Sequence, residues 1–274
     1  MVSPDTGSAT QTLVNGEACT RVEVLDRGLA YGDGVFRTLR IEGGKPRWWQ
    51  DHFSKLEADC RTLGMTCPGL DVWELDLSRL VLPVSGILRL TVTRGEGPRG
   101  YAPPAAATPT RIVAIWKWMP PDTSGAGLQV RVCGLRLGHQ PALAGVKHLN
   151  RLENVLARGE WQDPAIREGI LLDQGGLVVS GVTSNLFLWQ HGRLRTPRLD
   201  RCGVAGVARG RLMDLAVRAG YGVEETEITL GDIYAADELM FTNSLMLLER
   251  AHRMDNRVWE RPQVSPALRE LLHA

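Results

Sequence analysis

A break near the middle of the chain constrains the fold more than any other feature. Met119-Pro120-Pro121-Asp122-Thr123-Ser124-Gly125-Ala126-Gly127 puts two prolines and two glycines into nine residues and offers little to bury. It reads as a linker between separately packed halves. Before it, Thr12–Val14 and Glu17–Val24 flank Asn15-Gly16, a hairpin signal. Val35–Ile41 reads as a strand, followed by the turn Glu42-Gly43-Gly44 and a second strand through Trp48. Asp51–Leu63 carries the helical stripe Phe53, Leu56, Cys60, Leu63 and stops at Gly64. A helix near Val72–Val81 and strands at Gly86–Thr93 and Arg111–Trp118 complete this half. After the linker come strands Leu128–Cys133, Gly169–Leu172 and Asn185–Trp189, helix Val207–Ala219, and strands Gly222–Glu227 and Glu238–Thr242. The expectation is an α/β (α+β) chain with a cleft between two domains. Residues 1–11 form a flexible tail, 12–118 a small N-terminal domain, 119–127 the linker, and 128–274 a larger C-terminal domain that includes Lys147.

Composition narrows the function. With 274 residues, 43% hydrophobic and 23% charged, the chain can bury a substantial core. A net charge of +1 provides no global field for nucleic acid or an anionic membrane. No apolar run reaches the length of a membrane span, and the N-terminus lacks the pattern of a signal peptide. Five scattered cysteines without a C-x-x-C pair suggest reduced thiols in the cytoplasm. The six histidines are scattered too, with no spacing that suggests a metal site.

The chemistry concentrates around Gly145-Val146-Lys147-His148-Leu149-Asn150-Arg151-Leu152-Glu153-Asn154. Lys147 stands at the mouth of a helix whose apolar positions run Leu149, Leu152, Leu156 and on to Trp161. A lysine there forms a Schiff base if it loses enough solvation to depress its pKa, although most such lysines are solvated and inert. Its company decides. Gly95-Glu96-Gly97-Pro98-Arg99-Gly100 matches G-x-G-x-x-G after a strand. The following Tyr101-Ala102-Pro103-Pro104 cannot open a helix, so no pyrophosphate site results. The loop is either a solvated turn or a carboxylate trap built from Arg94, Arg99 and Tyr101. Arg201-Cys202-Gly203-Val204-Ala205-Gly206-Val207-Ala208-Arg209 runs a glycine loop into a helix, which aims backbone amides at an anion or at water. Thr242-Asn243-Ser244 ends a strand with hydroxyls that bind a ligand or form a turn. Together a lysine, a helix-start anion site and a hydroxyl-rich strand end point to pyridoxal phosphate.

Four stretches occur in a telling order: Asp26-Arg27-Gly28-Leu29-Ala30-Tyr31-Gly32-Asp33-Gly34-Val35-Phe36, Lys147-His148-Leu149-Asn150-Arg151-Leu152, Thr183-Ser184-Asn185-Leu186-Phe187, and Gly203-Val204-Ala205-Gly206-Val207. As a set they resemble the class IV pyridoxal-phosphate enzymes, which include branched-chain aminotransferases, D-amino acid aminotransferases and aminodeoxychorismate lyases. The resemblance covers about residues 12–250 and is most similar to the lyases, through Lys-His-Leu leading into Asn-Arg-Leu-Glu and Arg-Gly-Tyr after Gly-x-Gly. It implies a two-domain fold type IV subunit, like that of D-amino acid aminotransferase, and a homodimer with active sites near its interface. It implies Lys147 as Schiff-base partner and later as base, and phosphate held by the amides of Gly206 and Val207 and by Ser244. Lys55, Ser180, Thr183 and Asn243 join the expected cofactor contacts. Phe36 and Thr38 share a strand face and look into the substrate pocket, with the Thr38 hydroxyl or a water as proton donor. Tyr31 reaches that pocket from the neighbouring subunit, and Arg99 with Tyr101 holds a carboxylate.

Three positions depart from the family pattern. Ser180 stands where a glutamate usually holds the pyridine nitrogen protonated, so the ring is a weaker electron sink. Transamination suffers most, whereas an elimination that creates an aromatic ring needs the sink less; Glu168 or a water is the available compensation. Lys55 replaces the usual phosphate-binding arginine and lacks its bidentate fork. Arg37, on the opposite strand face from Phe36 and Thr38, is expected at a surface or interface. The expected activity is therefore aminodeoxychorismate lyase, giving p-aminobenzoate and pyruvate from 4-amino-4-deoxychorismate for folate biosynthesis. A D-amino acid aminotransferase is the alternative, and a pyridoxal-phosphate-binding protein without turnover is third.

Overall fold

The computed structural model describes residues 9–120 and 127–273. Its first unit contains an antiparallel sheet of β1 (Gln11–Val14), β2 (Glu17–Ala18), β3 (Gly34–Glu42), β4 (Lys45–Pro46), β5 (Ser85–Thr93) and β6 (Thr110–Lys117), in the order β2-β1-β6-β5-β3-β4. The β1–β2 turn is made by Asn15 and Gly16, both at positive φ (52° and 88°), as a tight hairpin requires. Strand alternation fixes which face is covered. Val35, Leu39 and Ile41 of β3 are fully buried with Leu88 and Leu90 of β5. Leu56 and Cys60 of α2 (Trp49–Thr62) and Trp73 of α3 (Leu70–Ser78) close the same core. The short helix α1 (Arg27–Tyr31) precedes β3 and is capped by the Asp26 side chain.

Some expectations need correcting here. Gln11 belongs to β1 and the Thr10 hydroxyl donates to the Ile115 carbonyl, so the expected tail 1–11 is too long; residues 1–8 lie outside the described part. Residues 121–126 of the expected linker lie outside it as well. The second strand of the hairpin ends at Ala18, and Val22 and Val24 are exposed. Helix α3 stops at Ser78, ahead of the expected Val81.

The second unit is built on a mixed sheet of β7 (Leu128–Leu137), β8 (Ile166–Asp173), β9 (Val178–Gly181), β10 (Asn185–Gln190), β11 (Arg193–Pro197), β12 (Gly222–Thr226), β13 (Glu238–Asn243) and β14 (Leu247–Met254), in the order β12-β11-β10-β13-β14-β7-β8-β9, with β15 (Arg257–Val258) on β14. Pairs β11–β12, β14–β7 and β7–β8 are parallel. Ile170, Leu186, Leu188, Leu239 and Phe241 form its core with Ile233 of α6 (Leu230–Ala235). Helices α4 (Leu152–Arg158), α5 (Val207–Arg218) and α7 (Ser265–His273) complete it. Among the described residues no helix is long and apolar enough to cross a membrane.

The segment carrying Lys147 is not where the sequence placed it. Contacts group Val146–Asn150 with the chain up to Pro120, and Pro121–Gly145 with Arg151 onward. Hydrogen bonding explains this: His148 bridges Val35, the Phe36 amide donates to the Lys147 carbonyl at 3.0 Å, and the Leu149 amide donates to the Gly34 carbonyl at 2.9 Å. Lys147-His148-Leu149 is thus a short extension of the first sheet, and α4 begins only at Leu152.

Candidate active site

Lys147 is half-buried, its backbone tied to the start of β3. Its Nζ lies 4.6 Å from the centroid of the Phe36 ring, and the Arg89 guanidinium lies 4.2 Å from the same centroid. Phe36 therefore contacts two cations, an arrangement the negative ring face favours. Thr38 follows Phe36 on the same strand face and stands directly opposite Arg89 of β5. Phe36 is thus in contact with both Lys147 and Arg89, and Thr38 neighbours Arg89 across the strands. Sequence reading missed Arg89; its signal was an arginine inside an otherwise apolar strand, at a position whose burial lowers the pKa of the guanidinium.

Beneath Lys147 lies a charged cluster. Asp59 of α2 is 1% exposed and accepts the Lys147 backbone N–H at 3.0 Å. Arg37 of β3, 2% exposed, pairs with the same carboxylate, and the Lys55 ammonium reaches it from one helical turn away. Arg37 thus faces away from Phe36 and Thr38 as alternation requires, but it is buried against α2. The expected surface or interface position is wrong, because that strand face is the core face. Burial, and then the positive charge of Arg37, push the Lys55 ammonium down to about 8. Lys55 still carries a positive charge at neutral pH, and with Arg37 and Asp59 leaves the cluster at net +1, suited to an anion.

Tyr31, Arg99 and Tyr101 form a separate group. The Tyr31 hydroxyl accepts the Gly100 N–H at 2.9 Å, and its ring lies 5.5 Å from that of Tyr101. Arg27 donates to the carbonyls of Gly100 and Tyr101 while pairing with Asp33, whose carboxyl also binds Arg94. The two arginines hold the Asp33 carboxyl below the usual range although burial works the other way. Gly95 and Gly100 adopt positive φ (87° and 116°), and no helix follows, in keeping with the rejection of a dinucleotide loop. Arg99 and Tyr101 are exposed, on a loop clamped to α1.

In the second unit, α5 starts at Gly206 without a side-chain cap. Asn185 fixes the loop before it, donating to the Val204 carbonyl at 2.8 Å and accepting from the Gly206 N–H at 3.1 Å. A Cβ at Gly206 would stand 2.5 Å from Asn185 Oδ1, so the approach to the helix start stays bare backbone. Glu168, 3% exposed, gathers the neighbouring turn: it accepts from the Val182 and Thr183 amides and from the Thr183 and Ser184 hydroxyls. Asn243 donates to the Thr183 carbonyl and accepts the Leu245 and Met246 amides, which shapes the turn holding Ser244. Ser180 is buried on β9 opposite Leu171. Gly181 points the other way, where an added Cβ would meet the Glu168 carboxyl carbon at 2.9 Å. Glu168 is committed to the turn on that side, so it does not offer the compensation for Ser180 that the sequence suggested.

Residues 34–253 match the amino-transferase class IV family. The chain belongs to the class IV aminotransferases. This family binds pyridoxal phosphate. The two-sheet fold is fold type IV. The crystal structure of 4-amino-4-deoxychorismate lyase from Pseudomonas aeruginosa is 40% identical, covers 96% of this chain and 98% of its own, and superposes with a TM-score of 0.91. Aminodeoxychorismate lyase of Vibrio harveyi is 35% identical over 238 residues, 85% of this chain and 87% of its own. A Methanocaldococcus jannaschii protein provisionally named a branched-chain-amino-acid aminotransferase is 33% identical over 260 residues, 93% of this chain and 90% of its own. The residues present fit a class IV cofactor. Taken separately, the first unit offers the Lys147 amine, and in the second α5 begins without a side-chain cap, a helix start suited to a phosphate.

Proposed function

We propose that this class IV enzyme is an aminodeoxychorismate lyase, which releases p-aminobenzoate and pyruvate from 4-amino-4-deoxychorismate. Similarity over nearly the whole chain to the Pseudomonas and Vibrio lyases carries this reading. Ser180 supports it, because a neutral group there suits an elimination driven by aromatisation better than an exchange of amino groups. Pyridoxal phosphate, when bound, supplies an aldehyde and an electron-withdrawing ring. Lys147 would hold that aldehyde, and the Val207 amide with Ser244, Asn243, Thr183 and Lys55 would hold the remainder; the expected Gly206 amide is already donated to Asn185 and orders the loop instead. As general base, Lys147 would take the proton from the amine-bearing carbon of the substrate ring. The carbon–oxygen bond to the pyruvyl group breaks with its electrons on oxygen, and the Thr38 hydroxyl returns a proton to the leaving fragment. Phe36 contacts both Lys147 and Arg89, while Tyr31, Arg99 and Tyr101 present a second carboxylate-binding group.

A second copy of the chain belongs to this reading. Leu152, Val155 and Leu156 of α4 are 74%, 63% and 64% exposed, an apolar face that a homodimer covers.

The test gives purified protein and pyridoxal phosphate 4-amino-4-deoxychorismate, and follows p-aminobenzoate and pyruvate together. Equal release of both is expected. Keto-acid formation from D-alanine and 2-oxoglutarate, with the first reaction silent, would replace the lyase by the D-amino acid aminotransferase. Arg89 adds its own prediction. Its guanidinium shares the Thr38 face and offers a carboxylate two parallel donors. Arg89→Met is expected to raise KM for the substrate about tenfold to a hundredfold, the worth of a charge-assisted hydrogen bond. An unchanged KM would assign the substrate carboxylates to Arg99 and Tyr101 alone.

A further inference from the structure

The Lys147 peptide is held on both sides of its Cα. Its carbonyl accepts the Phe36 N–H from β3, and its own N–H donates to Asp59 Oδ2 at 3.0 Å from α2. The first bond fixes the peptide following Lys147 and the second fixes the peptide preceding it. Between them they set the direction of the Cα–Cβ bond, from which the four-carbon side chain starts. The face of Phe36, 4.6 Å from Nζ, limits where that side chain ends.

Asp59 is an expensive residue for this task. An ionised carboxylate buried to 1% exposure costs several kcal/mol unless it is paired and hydrogen-bonded. Here Arg37 supplies the counter-charge from the core face of β3, itself buried, and also donates to the Lys55 carbonyl. Lys55 donates to Oδ1, while Oδ2 takes both the Arg37 guanidinium and the Lys147 amide. A serine or a backbone carbonyl would satisfy that one N–H without a buried ion pair. The pair therefore points to a need for a rigid acceptor tied to a rigid strand and a rigid helix together.

We propose that Asp59 is a positioning residue for Lys147, fixing the peptide before the lysine, with Arg37 as its built-in counter-ion. This rests on the reading that Lys147 carries the cofactor, and preorganisation is the physical gain. A nucleophile held near its attack geometry has less freedom to lose when it reacts.

Two paired replacements test it in the full-length protein. Arg37→Met/Asp59→Leu removes the Arg37–Asp59 pair and the acceptor together while Lys55 stays in both variants, and a buried ion pair replaced by apolar groups commonly leaves a folded protein. Arg37→Met/Asp59→Asn removes the same pair but keeps an acceptor of the same shape. Hydrogen exchange at the Lys147 amide is followed in cofactor-free protein. The rate at which bound-cofactor absorbance develops, together with kcat and KM, is followed on adding pyridoxal phosphate and then substrate. In the leucine variant the Lys147 amide is expected to exchange at least tenfold faster, with the Leu88 and Val113 amides unchanged. Cofactor attachment and kcat should fall about tenfold at nearly constant KM, and the asparagine variant should recover most of each. Unchanged Lys147 exchange in the leucine variant, or equal behaviour of the two variants, overturns the proposal. Borohydride reduction and peptide mapping of the loaded wild type run alongside: a label away from Lys147 would remove the active-site reading itself, and with it this proposal.

Discussion

Replacing Lys147 with alanine is expected to abolish the absorbance of lysine-bound cofactor and to reduce turnover at least about a thousandfold, within the range a positioned base contributes even before the covalent role is counted. The loss should be confined to chemistry. Both hydrogen bonds that anchor this residue use backbone atoms, the carbonyl to the Phe36 N–H and the N–H to Asp59, and alanine keeps them. The contact of Nζ with the Phe36 ring, worth about 0.5–1 kcal/mol, goes with the side chain. The thermal midpoint of the cofactor-free variant should therefore stay close to that of the wild type. The competing candidate is Lys55, whose ammonium burial pushes down to about 8, near the range of a reactive amine. Reduction with borohydride separates the two. Retained activity in Lys147→Ala, with a label on Lys55, would move the whole assignment one cluster deeper.

Legibility in the sequence followed the strength of periodic patterns. Strands β3, β5 and β6 alternate over eight or nine residues, and helices α2 and α5 run for 14 and 12 residues, so all were recognisable. Strands β9 and β11 have four and five residues, too short for a period to declare itself. Strand β14 mixes Glu249, Arg250, His252 and Arg253 with its apolar residues. Helix α7 is held by a partner far away in sequence: Glu238, fully buried, accepts from the amides of Gln263, Val264 and Ser265. In the candidate site, the residues with a motif around them were legible as candidates, and those defined by tertiary packing were not. Arg37 alternates with Val35, Leu39 and Ile41 on a face that is entirely core, and an arginine there demands a buried carboxylate. Asp59 lies one turn from Lys55 on α2, and that demand is what would have singled it out. Lys147 was assigned to the wrong unit for a similar reason, since its place depends on bonds to β3 across more than a hundred residues of chain.

Ser180→Glu is expected to raise amino-group exchange relative to pyruvate elimination about tenfold or more. The argument begins with charge. A carboxylate beside a ring nitrogen stabilises its protonated form, and each pKa unit so gained is about 1.4 kcal/mol of differential interaction. A protonated ring holds a carbanion longer, which exchange requires and an aromatising elimination does not. Glu168 leaves this effect open to be seen. Its oxygens are taken up by the turn at Val182, Thr183 and Ser184, and it lies on the Gly181 side of β9, away from the side chain of Ser180. The new carboxyl would be buried, since Ser180 is only 7% exposed, and in cofactor-free protein it would lack a cationic partner made by the ring. Binding of the cofactor should then stabilise the variant more than it stabilises the wild type, because a ligand that binds the folded state adds stability in proportion to its affinity. Two measurements follow from one substitution: the ratio of keto-acid exchange to p-aminobenzoate release, and the rise in thermal midpoint on loading. If the ratio moves and the midpoint difference grows, Ser180 faces the ring nitrogen and the choice of serine favours elimination. If neither moves, Ser180 lies away from the nitrogen, and preference for the lyase reaction must come from the substrate-binding groups around Phe36, Thr38 and Arg89.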